Sequence, residues 1–166
     1  MRQTRGRIDS AFVALLHVRS YERIRVCDIT RKANVGRATF YAHYESKDAL
    51  LRDQFGRIVG PMIQLRAGEA CPFDCTALFA HILSARRLYL SLVGSKVIRS
   101  CFEVRLLDLL HEGPPRHAME SAAIARLVAA SLDAFMGWSL EFGIEDSPAR
   151  WQAQWSGFVG HGLGGT

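Results

Sequence analysis

Apolar residues in this chain recur at three- and four-residue intervals, and stop signals fall where helices would end, so the pattern predicts an all-α protein with almost no strand signal. The first stripe, Ile8, Phe12, Leu15 and Leu16, predicts a helix ending near Arg19. Two very short helices are expected at about 27–33 and 37–43. Ser46 then caps a longer fourth helix, with Asp48 beside the positive end of its dipole. Gly60–Pro61 should kink or end that helix, since Pro61 has no amide to donate to the carbonyl of Arg57. The segment GEACPFD reads as a loop, after which Asp74 or Thr76 caps a fifth helix burying Leu78, Phe79, Ile82, Leu83 and Tyr89. A sixth starts at Ser95 and stops at Gly113, followed at once by Pro114 and Pro115. The seventh, rich in alanine, runs over about 119–142 with Gly143 as its stop. Ser147–Pro148 opens an eighth with Trp151, Trp155 and Phe158 on one face.

Length and charge narrow what such a bundle can do. The 166 residues, 49% of them hydrophobic, suffice for a small head and one further helical core, which leaves no room for a large catalytic domain. The net charge of +5 favours an anionic partner, nucleic acid or a membrane surface. Its placement is uneven: residues 1–58 hold 12 Lys and Arg against 6 Asp and Glu, and the rest hold 9 against 10. No apolar run approaches the ~20 residues that span a bilayer, so no membrane partner is expected. Cys27, Cys71, Cys75 and Cys101, without a signal peptide, point to reduced thiols and a cytoplasmic protein. The spacing CPFDC reads as ordinary loop and helix-start residues, with a metal or redox pair as the other reading; structural zinc usually takes four ligands. His81, His111 and His117 form no metal-like pair, so neither metal nor cofactor is expected, and the glycine-rich end HGLGGT reads as a frayed tail.

The stretch YERIRVCDITRKANVGRATFYAHYESKDALL has the physical parts of a helix-turn-helix: an inward pair one turn apart, a tight three-residue turn, and a second helix anchored inward but polar outward. Ile29 and Ala33 supply the pair, Ala33 being small where the helices cross. In the turn, Asn34 tolerates the left-handed conformation, Val35 plugs the core and Gly36 starts the next helix. Phe40 anchors that helix, which leaves Arg37, Ala38, Thr39, Tyr41 and His43 as candidates to face DNA, with His43 either a phosphate neighbour or merely solvated. Phe40 and Tyr44 have inward spacing and read as core. Arg2, Arg5 and Arg7 are either an arm reaching the DNA or a disordered basic end.

The same stretch resembles the head of the tetracycline-repressor family, in which a short helix-turn-helix is followed by Thr-Phe-Tyr, an aromatic residue and a Ser-Lys helix start. Here these are Thr39, Phe40, Tyr41, Tyr44, Ser46 and Lys47, and the resemblance runs upstream through Ala11, Phe12, Tyr21, Ile24, Val26, Asp28 and Ile29, covering about residues 7–55. It implies that Tyr41 and Lys47 grip phosphates and that Thr39 and Arg37 lie at or beside base edges; Arg25 and Thr30 complete the candidate contacts. Ser20 and Asn34 stand where glycine is usual, Arg25 where a capping Ser or Thr is usual, and Gly36 where Ser is usual. All four positions are turns or caps, costing up to about 1 kcal/mol per lost cap.

Residues 1–46 are therefore expected to form a three-helix DNA-binding head, joined through helix 4 to an effector-binding and dimerisation domain over 47–166, about eight helices in all. The run AFMGWSLEFGIEDSPARW resembles the family's penultimate helix, turn and last helix, which in that family pair with their copies in a four-helix dimer interface. Ala122, Ala125, Ala129, Ser131, Ala134 and Gly137 would allow close helix approach, and Leu127, Trp138, Trp151, Trp155 and Phe158 would complete the interface. The alternative is that these helices pack within one subunit. An effector pocket would lie among helices 4 to 7, lined by Met62, Phe79, Leu83, Phe102 and Leu106, each of which could equally be plain core.

An enzyme would need a nucleophile with its base, paired carboxylates, a metal cluster or a phosphate loop, and none stands at usable spacing. The expected function is a repressor that binds palindromic double-stranded DNA as a homodimer and is released by a small apolar effector. The alternatives are a DNA-binding regulator without an effector and a helix-turn-helix interaction module.

Overall fold

A computed structural model describes residues 2–66, 71–113, 118–143 and 147–163. Pro114, Pro115 and His117, most of GEACPFD before Cys71, and the end of HGLGGT lie outside the described residues. The described chain is all-α apart from one tiny hairpin. The head comprises α1 (Arg2–Leu16), α2 (Val26–Ala33) and α3 (Arg37–Tyr41), with a 3-10 turn at Tyr21–Arg23. Next comes α4 (Lys47–Ile58), and the body adds α5 (Thr76–Ser84), α6 (Arg86–Leu90), α7 (Lys96–Glu112), α8 (Ala118–Phe142) and α9 (Pro148–Leu163).

Most helix ends have the anticipated chemistry. The Ser46 hydroxyl accepts the Ala49 amide at 3.0 Å, capping α4. Asp74 accepts the amide and the hydroxyl of Thr76 at 2.9 and 2.6 Å, tying down the start of α5. Gly143 ends α8 at φ +68°, a conformation that favours glycine. At Gly60–Pro61, α4 gives way to a 3-10 turn, and Arg105 of α7 clamps it by donating to the carbonyls of Gly60 (2.8 Å) and Ile63 (3.1 Å).

Five expectations are corrected. Helix 1 ends at Leu16 and helix 3 at Tyr41, short of Arg19 and residue 43. Helix 5 is two helices, because the chain leaves helical geometry at Ala85 (φ −121°, ψ 34°). The segment expected as a loop contributes a strand, β2 (Phe73–Asp74), paired antiparallel with β1 (Gln64–Leu65) and supported by an Arg66–Asp74 ion pair. Finally, 119–142 is long and apolar enough by length and composition to cross a membrane, contrary to the expectation of no such run. Half of it is buried in the protein, and it holds a buried Asp133 paired with Arg99 at 2.8 Å, so it packs as a core helix against α7.

Candidate nucleic-acid interface

The turn between α2 and α3 is built as its sequence requires. Ile29 and Ala33 of α2 and Phe40 of α3 are buried, which fixes how the two short helices cross. Asn34 sits in the left-handed region (φ 51°, ψ 54°). The Val35 amide donates back to the carbonyl of Thr30, and Gly36 is the extended residue whose carbonyl accepts the Phe40 amide. At the front of α2, the Arg25 amide donates to Asp28 Oδ2 at 3.0 Å, and the Asp28 amide donates to the Arg25 carbonyl at 2.9 Å.

A polar cluster behind this unit joins α1 to α4. The Tyr44 hydroxyl donates to Asp9 at 2.7 Å and accepts from Arg5 Nε at 2.9 Å. Arg5 reaches Asp53 at 2.5 Å, and Arg57 bridges Asp9 (2.7 Å) and Asp53 (3.1 Å). Burial, then the Asp9 hydrogen bond, push the Tyr44 phenol up to about 12, so it stays a neutral donor at physiological pH. Arg5 is thus a structural residue and not part of a disordered basic end. Arg7 donates to the carbonyl of Asn34 at 2.8 Å, stapling α1 to the turn, a contact between residues 27 apart with no local sequence signal.

The α3 surface left outward carries Arg37, Ala38 and Tyr41 exposed, with Thr39 and His43 half-buried. Tyr41 lies edge-on to Phe40, with ring centres 5.4 Å apart. Arg25 is exposed at the start of α2. Lys47 donates to the Tyr21 carbonyl at 2.9 Å, and its ammonium lies 3.9 Å from the Tyr21 ring centre. Thr30 is corrected: it is buried, and its hydroxyl turns back to the Cys27 carbonyl at 3.2 Å, so it presents no group to a duplex.

The body departs further from expectation. Phe79 and Phe102 are solid core: Phe79 packs edge-on against Phe135, Trp151 and Trp155, and Phe102 against Phe55. Leu106 is fully buried, while Met62 and Leu83 pack against the same core. None of these five lines the α4–α7 cleft of about 490 Å³ beside Arg52, Arg105 and Asp108, or the apolar cavity of about 220 Å³ between α1, α4 and α6. Trp151 and Trp155 are corrected as interface residues: both are 0% exposed in one subunit and leave no surface for a partner. Their indoles fill the centre of the body, and Trp155 Nε1 donates to Ser131 Oγ at 3.3 Å. The small residues divide likewise. Ala125 and Ala129 are buried inside the subunit, and a Cβ at Gly137 would meet Val93 at 2.8 Å, whereas Ala122 and Ala134 are exposed. Leu127, Trp138 and Phe158 remain outward at 67, 51 and 68% exposure, joined by Met119 and Phe142, which sequence reasoning had not included.

Residues 9–53 match the family described as bacterial regulatory proteins, tetR family. The chain is 40% identical over 62 residues to an uncharacterized HTH-type transcriptional regulator, YxbF, of Bacillus subtilis (strain 168); the match spans 37% of this chain and 16% of that protein's length. Among solved structures, it is similar to a TetR transcriptional regulator from Streptococcus agalactiae 2603V (23% identity, 95% and 94% of the two chains, TM-score 0.60). It is also similar to the dihydroxyacetone kinase operon activator DhaS (21%, 96% and 96%, 0.57) and to the fatty acid degradation regulator FadR from Bacillus halodurans (17%, 97% and 96%, 0.58). At these identities the solved structures show the shared fold alone.

Proposed function

We propose that this chain, whose residues 9–53 match the tetR family of bacterial regulatory proteins, is a cytoplasmic, homodimeric DNA-binding repressor of that family that reads a palindromic operator and is released by a small effector. The observation that carries the reading is α3 itself, seated on buried Phe40 with Arg37, Ala38 and Tyr41 exposed, in a head that holds the chain's excess positive charge. Arg37 and Thr39 read base edges. Arg25, Tyr41, His43 and Lys47 meet phosphates. Residues 1–46 serve as the reading head and 47–166 as the regulatory and dimerisation body.

One such helix covers only a few base pairs, whereas two heads about 34–36 Å apart read successive major grooves. A two-fold pairing of α8 and α9 is supported by the outward Leu127, Trp138, Phe142 and Phe158 together with exposed Ala134, an apolar surface of the kind that marks a protein contact. The test is a mobility shift on DNA selected from random sequence, repeated across salt concentrations. Binding whose affinity falls steeply with salt is expected, and failure to shift any duplex at low salt would remove the reading.

A further inference from the structure

We propose that the cavity of about 220 Å³ at the joint between head and body is a binding site for a compact, mainly apolar molecule carrying one hydrogen-bond acceptor oxygen, such as a monocyclic aromatic ketone. Phe12 and Leu16 of α1, Leu51 and Gln54 of α4, and Leu88 and Tyr89 of α6 line it. Apart from Gln54, Tyr89 and the two histidines at its edge, His17 and His81, its walls are hydrocarbon, as in small-molecule sites with few polar groups. An apolar cavity of about 150 Å³ takes a benzene, so this one suits a ring with a short substituent. The α4–α7 cleft is larger but bordered by Arg52, Arg105 and Asp108, and Arg105 is already committed to two backbone carbonyls.

Gln54 sets the chemistry. It is 92% buried, being 8% exposed, and its Nε2 has no hydrogen-bond partner. A buried amide donor without an acceptor is unfavourable; Nε2 is covered to within 1 Å² in the empty site, and a turn of this amide, which stands between the cavity and the shallower recess beside Asp9 and Arg57, brings it to a ligand's carbonyl. The geometry also gives the site a direct mechanical meaning. Its walls belong to α1 of the head, α4 of the connection and α6 of the body, so an occupant touches both sides of the joint without any relay. Only a preference for one head–body arrangement lets a ligand alter DNA affinity. That coupling rests on the DNA-binding reading above, whereas the binding site itself does not.

The experiment is calorimetric titration of the free full-length protein with acetophenone and with isopropylbenzene, in which a methyl replaces the carbonyl oxygen. Both are expected to bind. The ratio of acetophenone to isopropylbenzene affinity should fall about three- to tenfold in Gln54→Leu and in Gln54→Met, the worth of one net hydrogen bond. Ala85→Leu, which adds bulk to the cavity wall, should weaken both probes. Absence of binding by either probe up to its solubility, an unchanged ratio in both folded Gln54 variants, or full affinity in Ala85→Leu would each overturn the site. With DNA added, saturating acetophenone should change operator affinity at least fivefold, within the range of typical couplings. Unchanged operator affinity would overturn the coupling and leave the calorimetric result standing. A protein that binds no DNA at all would sink the DNA reading while the titrations still judge the cavity.

Discussion

Lys47 and Tyr21 are bound to each other twice: the ammonium donates to the Tyr21 carbonyl at 2.9 Å and lies 3.9 Å from the centre of its ring. The first residue of α4 is thereby fastened to the turn after α1, and the Tyr21 hydroxyl returns the link by donating to Asp48. A lysine read from sequence as a phosphate ligand is also a tie between the head and α4. Lys47→Ala should lower the salt slope of DNA binding by about 0.9, the loss of one phosphate contact, and also destabilise the protein by about 1–2 kcal/mol for the lost hydrogen bond and cation–π contact. Arg37→Ala, at an exposed position, should alter base preference and leave the melting curve unmoved. Urea denaturation of both variants checks this, and a wild-type stability for Lys47→Ala would refute the structural half of the role.

The body separates its aromatic residues into two jobs. Trp155→Ala removes a fully buried indole and should cost about 3–5 kcal/mol in stability. Leu127→Glu and Trp138→Glu, both outward, should leave the fold intact and convert a dimer into a monomer in sedimentation. A stable monomeric Trp155→Ala, or a dimer untouched by both glutamates, contradicts this division.

How far each part could be read from sequence follows from where its determinants lie. The head was legible because its constraints are local: a left-handed Asn34, an inward Phe40 and a Ser46 cap each act within four residues. The body was less so. The break at Ala85 lies in ILSARRLYL, which contains neither glycine nor proline, so no local stop signal marks it; beyond it Tyr89 and Leu92 are buried in the core and Arg86 donates to the Leu140 carbonyl, contacts that lie far off in the chain. The Trp151–Trp155 spacing gave a buried face correctly, but periodicity does not say whether its cover comes from the same subunit. Phe79 and Phe102 looked fit to line a pocket, and the space they would line is filled by other aromatics. Thr30 likewise faces inward because it shares the buried side of α2 with Ile29 and Ala33, where its hydroxyl is met by the Cys27 carbonyl.

Acid stability should carry the signature of Asp74. Burial alone would raise its carboxyl, but the Thr76 hydroxyl and amide and the Arg66 guanidinium outweigh that and hold it below the ordinary carboxylate value. A depressed folded-state value means that the group stabilises the fold above its unfolded pKa and loses that contribution as pH falls through the folded value. The melting-temperature difference between wild type and Asp74→Asn should therefore be constant near neutrality and shrink below about pH 4. A difference that does not change with pH would contradict it.

The four cysteines should react in a fixed order. Cys27 is exposed on α2. Burial, then the neighbouring Cys71 and Asp74, push the Cys75 thiol well up, and burial pushes Cys101 up to about 11. Since the thiolate is the nucleophile, iodoacetamide at pH 8 should modify Cys27 first and Cys71, Cys75 and Cys101 only on unfolding, as read by peptide mass mapping. Equal early labelling of Cys75 would overturn the packing around β2.

Selection of bound duplexes from a random pool tests the central claim, that paired heads read DNA through α3. Enrichment of a palindrome with half-sites one helical turn apart, about 10–10.5 base pairs between centres, is the predicted result. Repeating the selection with Arg37→Ala should change the preferred bases symmetrically in both halves. Enrichment of no sequence, or of a single unpaired site that Arg37→Ala leaves unaltered, would contradict the account.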